Sequence, residues 1–221
     1  MKEKLIIWDF DGVIADTDSM WMRAFYKKMV DEKNYKSDFA YFYEMCGGMS
    51  IATIKKTFLN LGIEIEDMFF EEIKQFFTDM LNKNFPLVEN ADKVIKSITK
   101  KQCLATGTPS SRVAWKVGLS NLSDVFTEDN SFSSDLVEKG KPSPDIFLYA
   151  AQKMGFEPER CIVIEDSFVG LQAAISAGMT PVAFIGCQGN DDPDRVEKIK
   201  QMGVRYIFSN FKDLGNFIES I

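Results

Sequence analysis

From Pro86 onward the chain repeats one pattern, a short continuous apolar run followed by a stretch with helical spacing. The runs are Cys103-Leu104-Ala105, residues 161–164, residues 181–185 and Tyr206-Ile207-Phe208. Helices are expected over about residues 90–100, from Ser110, over 144–154 and 169–177, and at the C-terminal end. Runs that are apolar throughout suit strands buried on both faces, and their alternation with helices implies a parallel sheet covered on both sides. The expected fold is therefore α/β, a doubly wound Rossmann-like sheet. Leu5-Ile6-Ile7-Trp8 has the same character and ends on Asp9-Phe10-Asp11-Gly12, so it is assigned to that sheet despite the long segment between.

That segment is of another kind. Met20, Trp21, Ala24, Phe25 and Met29 recur at helical spacing, residues 51–61 and 67–81 continue in the same way, and no convincing strand interrupts them. Residues 16–85 are expected to form a helical insert in a core made of residues 1–15 and 86–221. Its many aromatic and methionine side chains are read as packed helix faces rather than as a ligand box. Residues 186–193 read as a polar loop.

The formal charge of -7 disfavours nucleic acid and anionic lipid as partners. An acidic chain that handles an anionic substrate needs a metal ion or a few well-placed lysines. There is no histidine, which excludes Ser-His-Asp and Cys-His catalysis and imidazole zinc sites, leaving carboxylates, Lys, Tyr or Cys for proton transfer. Cys46, Cys103, Cys161 and Cys187 form no CxxC pair and read as small buried hydrophobes. Asp9 cuts the first apolar run too early for a signal segment and no run reaches membrane-span length, so the expected location is cytoplasmic.

In open parallel sheets ligands bind at the carboxyl ends of the strands. Four polar clusters stand there or precede a helix: Asp9-Phe10-Asp11-Gly12, Thr106-Gly107-Thr108, Lys141 within Gly140-Lys141-Pro142-Ser143-Pro144-Asp145, and Glu165-Asp166-Ser167. Asp9 and Asp11, one residue apart, project to the same side of an extended chain. One carboxylate can attack a phosphoryl group while the other manages protons, splitting hydrolysis into two displacements through an aspartyl-phosphate. Mg2+ suits a site of carboxylates, water and phosphate oxygens, and Asp166 completes one. Thr106 and backbone N–H groups near Gly107 can hold phosphoryl oxygens, with Lys141 offsetting charge. Singly, each cluster has a plainer reading: a turn at Asp9-Phe10-Asp11-Gly12, a strand-end hydroxyl at Thr106, a solvated lysine at Lys141, a helix cap at Glu165-Asp166-Ser167. An EF-hand register fails at Val13 and Met20.

The four clusters, taken in order, with Val13-Ile14-Ala15-Asp16-Thr17 after the first, Ile146-Phe147 after the third, and Gly170 and Ala173-Ala174 after the fourth, resemble the motifs of the haloacid dehalogenase superfamily. The insert resembles the helical C1-type cap of its phosphoglycolate phosphatase and beta-phosphoglucomutase branch. The resemblance implies an Mg2+-dependent phosphatase with Asp9 as nucleophile, Asp11 as general acid/base, and Thr106, Gly107 and Lys141 on the phosphate. It implies metal ligation by Asp9, the Asp11 carbonyl and Asp166, with Glu165 supporting the metal shell. The implied partner is a small phosphate ester, the chain acting as a monomer or weak homodimer.

In the mutase the helix after the nucleophile carries a histidine, whereas Trp21 stands here, and Ile51 stands where the mutase has a phosphate-binding arginine. The resemblance is therefore to sugar-phosphate or sugar-acid-phosphate phosphatases, including the 6-phosphogluconate type, with a phosphosugar mutase or a receiver-like phosphorylatable protein as alternatives. The loop Cys46-Gly47-Gly48-Met49-Ser50-Ile51, the helix with Trp21 and Arg23 and the small residues around Thr106 carry that likeness; Gly48 and Ser50 are candidate substrate contacts, and Ser50 reads equally well as a helix cap.

Overall fold

The computed structural model describes residues 3–46, 51–187 and 192–221. The chain falls into two compact units, Thr17–Phe85 and the remainder, Met1–Asp16 with Pro86–Ile221.

The inner unit contains helices α1 (Thr17–Lys33), α2 (Phe39–Cys46), α3 (Ile51–Asn60) and α4 (Asp67–Lys83). On α1 the buried apolar side chains are Met22, Ala24, Phe25 and Met29, with Met20 and Trp21 only partly covered. The aromatic residues do pack: Phe25 meets Phe42, Phe58, Phe69 and Phe70 with ring centroids 4.9 to 6.3 Å apart, mostly edge to face. Trp21 stands edge-on to Phe77 at 5.4 Å, inside the same unit. Helix α2 was not anticipated, because its aromatic run has weak helix propensity and little visible period. Its start is marked by Asp38, whose Oδ1 accepts the Tyr41 N–H at 2.9 Å.

The other unit is the doubly wound parallel sheet expected from the sequence. Its strands are β1 (Leu5–Trp8), β2 (Lys101–Thr106), β3 (Ser131–Ser133), β4 (Cys161–Glu165), β5 (Thr180–Phe184) and β6 (Tyr206–Phe208), in the order β3-β2-β1-β4-β5-β6 with every pair parallel. The helices are α5 (Ala91–Ser97), α6 (Ser110–Leu119), α7 (Asp145–Met154), α8 (Phe168–Ser176), α9 (Pro193–Gln201) and α10 (Phe211–Ser220). Alternation along β1 sends Leu5 and Ile7 into a cluster with Ile146, Phe147, Ala173 and Ala174 of α7 and α8. Trp8 takes the opposite face and stacks on Phe211 of α10, centroids 5.9 Å apart. The one polar atom of that side chain is satisfied, the indole N–H donating to Gln102 Oε1 at 2.9 Å.

Two elements of this unit are not foreseen from the sequence. Strand β3 has a single apolar residue, Phe132, and exists through its pairing with β2. Helix α9 is mostly charged and buries only Ile199, but Asp192 caps it by accepting the Asp194 and Arg195 N–H groups, and Pro193 opens its first turn. The polar stretch expected over 186–193 thus gives way to a helix at Pro193; residues 188–191 lie outside the described residues. From β1 the chain builds outward through β2 to β3, then returns to the other side of β1 for β4, β5 and β6. The order reverses between β1 and β4, where an open α/β sheet leaves a crevice for ligands.

Candidate active site

Asp9 directly follows β1, and its N–H donates to the Ile164 carbonyl of β4 at 2.9 Å, joining the two strand ends at the reversal. The next residues coil tightly. The Phe10 carbonyl accepts from Ile14 at 2.9 Å and Ala15 at 3.2 Å, and Gly12 N–H donates to Ala15 O at 2.9 Å. With Phe10, Val13, Ile14 and Ala15 buried beneath it, this loop holds Asp9 and Asp11 on an anchored support.

Lys141, in the segment before α7, reaches Asp9 Oδ1 at 2.7 Å and Glu165 Oε1 at 2.8 Å. Glu165 ends β4; its Oε2 also accepts the Ser167 N–H at 2.8 Å, and Ser167 Oγ in turn accepts Gly170 N–H to cap α8. The cap reading of this stretch holds for Ser167, whose N–H is in turn held by Glu165. Carboxylate oxygens of Asp9, Glu165 and Asp166 lie within 4.8 Å of one another, and all three residues are buried. Burial pushes Asp9 up to about 7, against the pull of Lys141, with Glu165 and Asp11 adding to the rise. For Lys141 burial acts downward, but Asp9 and Glu165 outweigh it and the ammonium is held firmly protonated.

The donor set suits a hard divalent cation: three buried carboxylates, all oxygen, in mutual contact range. The backbone makes room for two of these carboxyl groups. A Cβ on Gly12, whose φ is +79°, would stand 2.3 Å from Asp166 Oδ2, and one on Gly170 would stand 1.6 Å from Glu165 Oε1.

The carboxylate of Asp11 has partners of its own. Thr108 Oγ1 donates to its Oδ2 at 2.7 Å, Lys116 Nζ donates to its Oδ1 at 2.5 Å, and the same Nζ donates to Thr108 Oγ1 at 2.9 Å. Thr106, buried at the end of β2, accepts the Thr108 N–H on its Oγ1 at 3.1 Å. Gly107 is exposed, with its carbonyl accepting Ser134 Oγ at 3.2 Å. The structure thus brings Asp9, Lys141, Glu165 and Asp166 together, and sets Asp11 beside Thr108. Gly48 and Ser50 lie outside the described residues. Arg23, on α1, lies 4.5 Å over the Phe39 ring within the inner unit.

Three participants went unnoticed in the sequence. Thr108 follows Thr106 and Gly107 at the end of β2, with nothing in the sequence to single it out from them. Lys116 had a signal, since it shares the buried stripe of α6 with Val113 and Val117, where an apolar residue belongs. Arg195 gave none; its guanidinium donates to the Asp166 carbonyl at 2.6 Å and lies 4.8 Å over the Phe168 ring, tying α9 to the cation-site loop.

A parallel α/β sheet with an acidic cluster and a lysine at its reversal point is suited to an anionic ligand, and the match to known proteins narrows this. The family model for haloacid dehalogenase-like hydrolases covers residues 3–178, and the chain belongs to that family. It is similar to a phosphorylated carbohydrates phosphatase of Thermotoga maritima, 31% identical over 198 residues that cover 84% of this chain and 87% of that protein. It is also similar to a 6-phosphogluconate phosphatase of Escherichia coli, 27% identical with 81% of each chain covered. Among solved structures, a haloacid dehalogenase-like protein of unknown function from Agrobacterium tumefaciens shares the fold with a TM-score of 0.85 at 24% identity, over 99% of both chains. In the described residues no helix is long and apolar enough to cross a membrane.

Proposed function

We propose that this hydrolase is a phosphatase of phosphorylated carbohydrates that transfers the phosphoryl group to Asp9 and then releases it to water. The observation that carries the reading is that the two aspartates have different partners: Asp9 lies with Lys141 and the Glu165–Asp166 pair, and Asp11 lies with Thr108 and Lys116. Two carboxylates in different surroundings can take different roles, one as nucleophile and one as proton carrier. The names of the relatives, a phosphorylated carbohydrates phosphatase and a 6-phosphogluconate phosphatase, support the substrate class. The mutase alternative is not favoured.

In this reading Asp9 attacks phosphorus as the P–O bond to the sugar breaks, and Asp11 delivers a proton to the departing oxygen. Water then attacks the phosphoryl group on Asp9, Asp11 takes the proton that the water loses, and inorganic phosphate leaves with Asp9 restored. Lys141 opposes the cost of burying negative charge on Asp9 and can stay in place as charge builds on the phosphoryl oxygens. Thr106 and the N–H groups of the 106–108 turn are the proposed contacts to those oxygens. Mg2+ is the proposed ion; Asp9 and Asp166, with the Asp11 carbonyl, would hold it, and it would supply positive charge to neutralise the phosphoryl group. Glu165, committed to Lys141 and Ser167, supports that shell by fixing its neighbours.

Asp9→Asn tests the mechanism. It is nearly isosteric but a poor nucleophile, so phosphate release from a panel of sugar phosphates with Mg2+ should fall by about a thousandfold or more while the fold persists. Turnover near wild type would overturn the reading. Excess EDTA should abolish wild-type activity, and full activity in its presence would rule out the metal.

A further inference from the structure

Lys116 is expensive where it stands. It is 7% exposed on the inward stripe of α6, and a lysine there costs stability unless its charge is matched. Its ammonium is directed at Asp11 Oδ1 and Thr108 Oγ1, with the Phe10 ring centroid 5.6 Å away. Thr108 closes the triangle by accepting from Lys116 and donating to the other oxygen of Asp11. Two donors on two oxygens of one carboxylate define the plane of that group, which a single bond would leave free to turn. Thr108 is itself fixed at both ends of its backbone: its N–H donates to Thr106 Oγ1, and its carbonyl accepts Ser133 Oγ at 2.6 Å.

We propose that Lys116 is a positioning residue for the reaction, and that with Thr108 it orients the Asp11 carboxyl group for proton delivery to the leaving oxygen. The inference rests on the reading of Asp11 as proton carrier given above. It assigns function to the Thr108–Lys116 side of the site, away from the Lys141 cluster that serves the nucleophile.

A proton donor matters most when the leaving group is a poor one. A sugar alkoxide needs the proton as the P–O bond breaks; p-nitrophenolate hardly does. The value of kcat/KM reports events up to phosphoryl transfer to Asp9, so comparing it for a sugar 6-phosphate and for p-nitrophenyl phosphate isolates the donor's contribution. Lys116→Met should lower kcat/KM for the sugar phosphate about tenfold more than for p-nitrophenyl phosphate, through kcat rather than KM. Thr108→Val, which removes the neutral arm and leaves the lysine, should shift the same ratio in the same direction should the methionine variant fold poorly. Thr108→Ser, which keeps the hydroxyl, should restore the ratio to wild type. Asp11→Asn is the reference and should shift the ratio most.

Equal losses on both substrates in Lys116→Met and Thr108→Val, with Asp11→Asn still discriminating, would overturn the positioning role and leave Lys116 a packing residue. No discrimination in Asp11→Asn would overturn the proton-carrier reading and this inference with it.

Discussion

A methyl group on Gly12 would meet three atoms of the Asp166 carboxyl group at 2.3 to 2.7 Å, and the residue already sits at φ +79°, where a side chain costs about 1–2 kcal/mol. Gly12→Ala should therefore push Asp166 away from Asp9 before it does anything else. A cation at a hundred times its dissociation constant adds about 2.7 kcal/mol to the folded state. Wild-type protein should show that gain as a rise in melting temperature on adding Mg2+, whereas Gly12→Ala should melt at one temperature with or without the ion. An undiminished rise in the variant would mean that Asp166 is not part of the site. Gly107 gives the contrast, since a Cβ there meets nothing within 4 Å and Gly107→Ala should leave the fold unchanged. Asp9, Lys141, Glu165 and Asp166, which the structure brings together, stand out in the sequence because each is polar where an apolar run ends or a helix approaches. Lys116 was not singled out, because one lysine on a helical stripe looks like an interruption until its partner arrives from a strand end far off in sequence.

At the level of elements, α6 matters most, because it carries Lys116, and its start is secured from outside. Pro109 precedes it and offers no side-chain cap; the Ser110 N–H and Oγ donate instead to Asp135 at 3.1 and 2.6 Å, from the 3-10 turn after β3. Those bonds, the Ser110 hydroxyl first and its N–H with it, hold Asp135 down at about 2. The folded value lies below the unfolded one, so this contribution is complete above about pH 4 and disappears as pH falls through 2. Asp135→Asn should lower the melting temperature at pH 6 and flatten the acid side of the stability profile between pH 4 and 2, followed by circular dichroism. Parallel curves for the two proteins over that range would show that the cap carries no stability. The elements seen in advance were those with a strong internal period or an unbroken apolar run. Those missed, α2, β3 and α9, depend on a capping residue or a neighbouring strand, information that a local pattern does not hold.

On the scale of the whole molecule, the sheet is assembled from two stretches of chain that the 17–85 unit separates, yet the stretches meet where it leaves and returns. Asp16 N–H donates to Pro86 O at 2.9 Å, Val88 N–H to Ile14 O at 3.0 Å, and Ala15 pairs with Leu87 in an antiparallel bridge. A linker of about two glycines can therefore join Asp16 to Pro86 without moving β1, which needs both β2 and β4 as neighbours. Every residue assigned here to phosphoryl transfer, proton delivery and cation binding lies in the retained part. Those groups address the phosphoryl end of a substrate, and discrimination between esters requires contacts with the remainder. The shortened chain should fold cooperatively, keep its Mg2+-dependent rise in melting temperature, and still hydrolyse acetyl phosphate. It should lose most of the spread in kcat/KM among sugar phosphates that the full chain displays. Retention of that spread would place specificity in the sheet unit. Loss of acetyl phosphate hydrolysis in a folded, cation-responsive protein would show that the 17–85 unit supplies part of the chemistry as well.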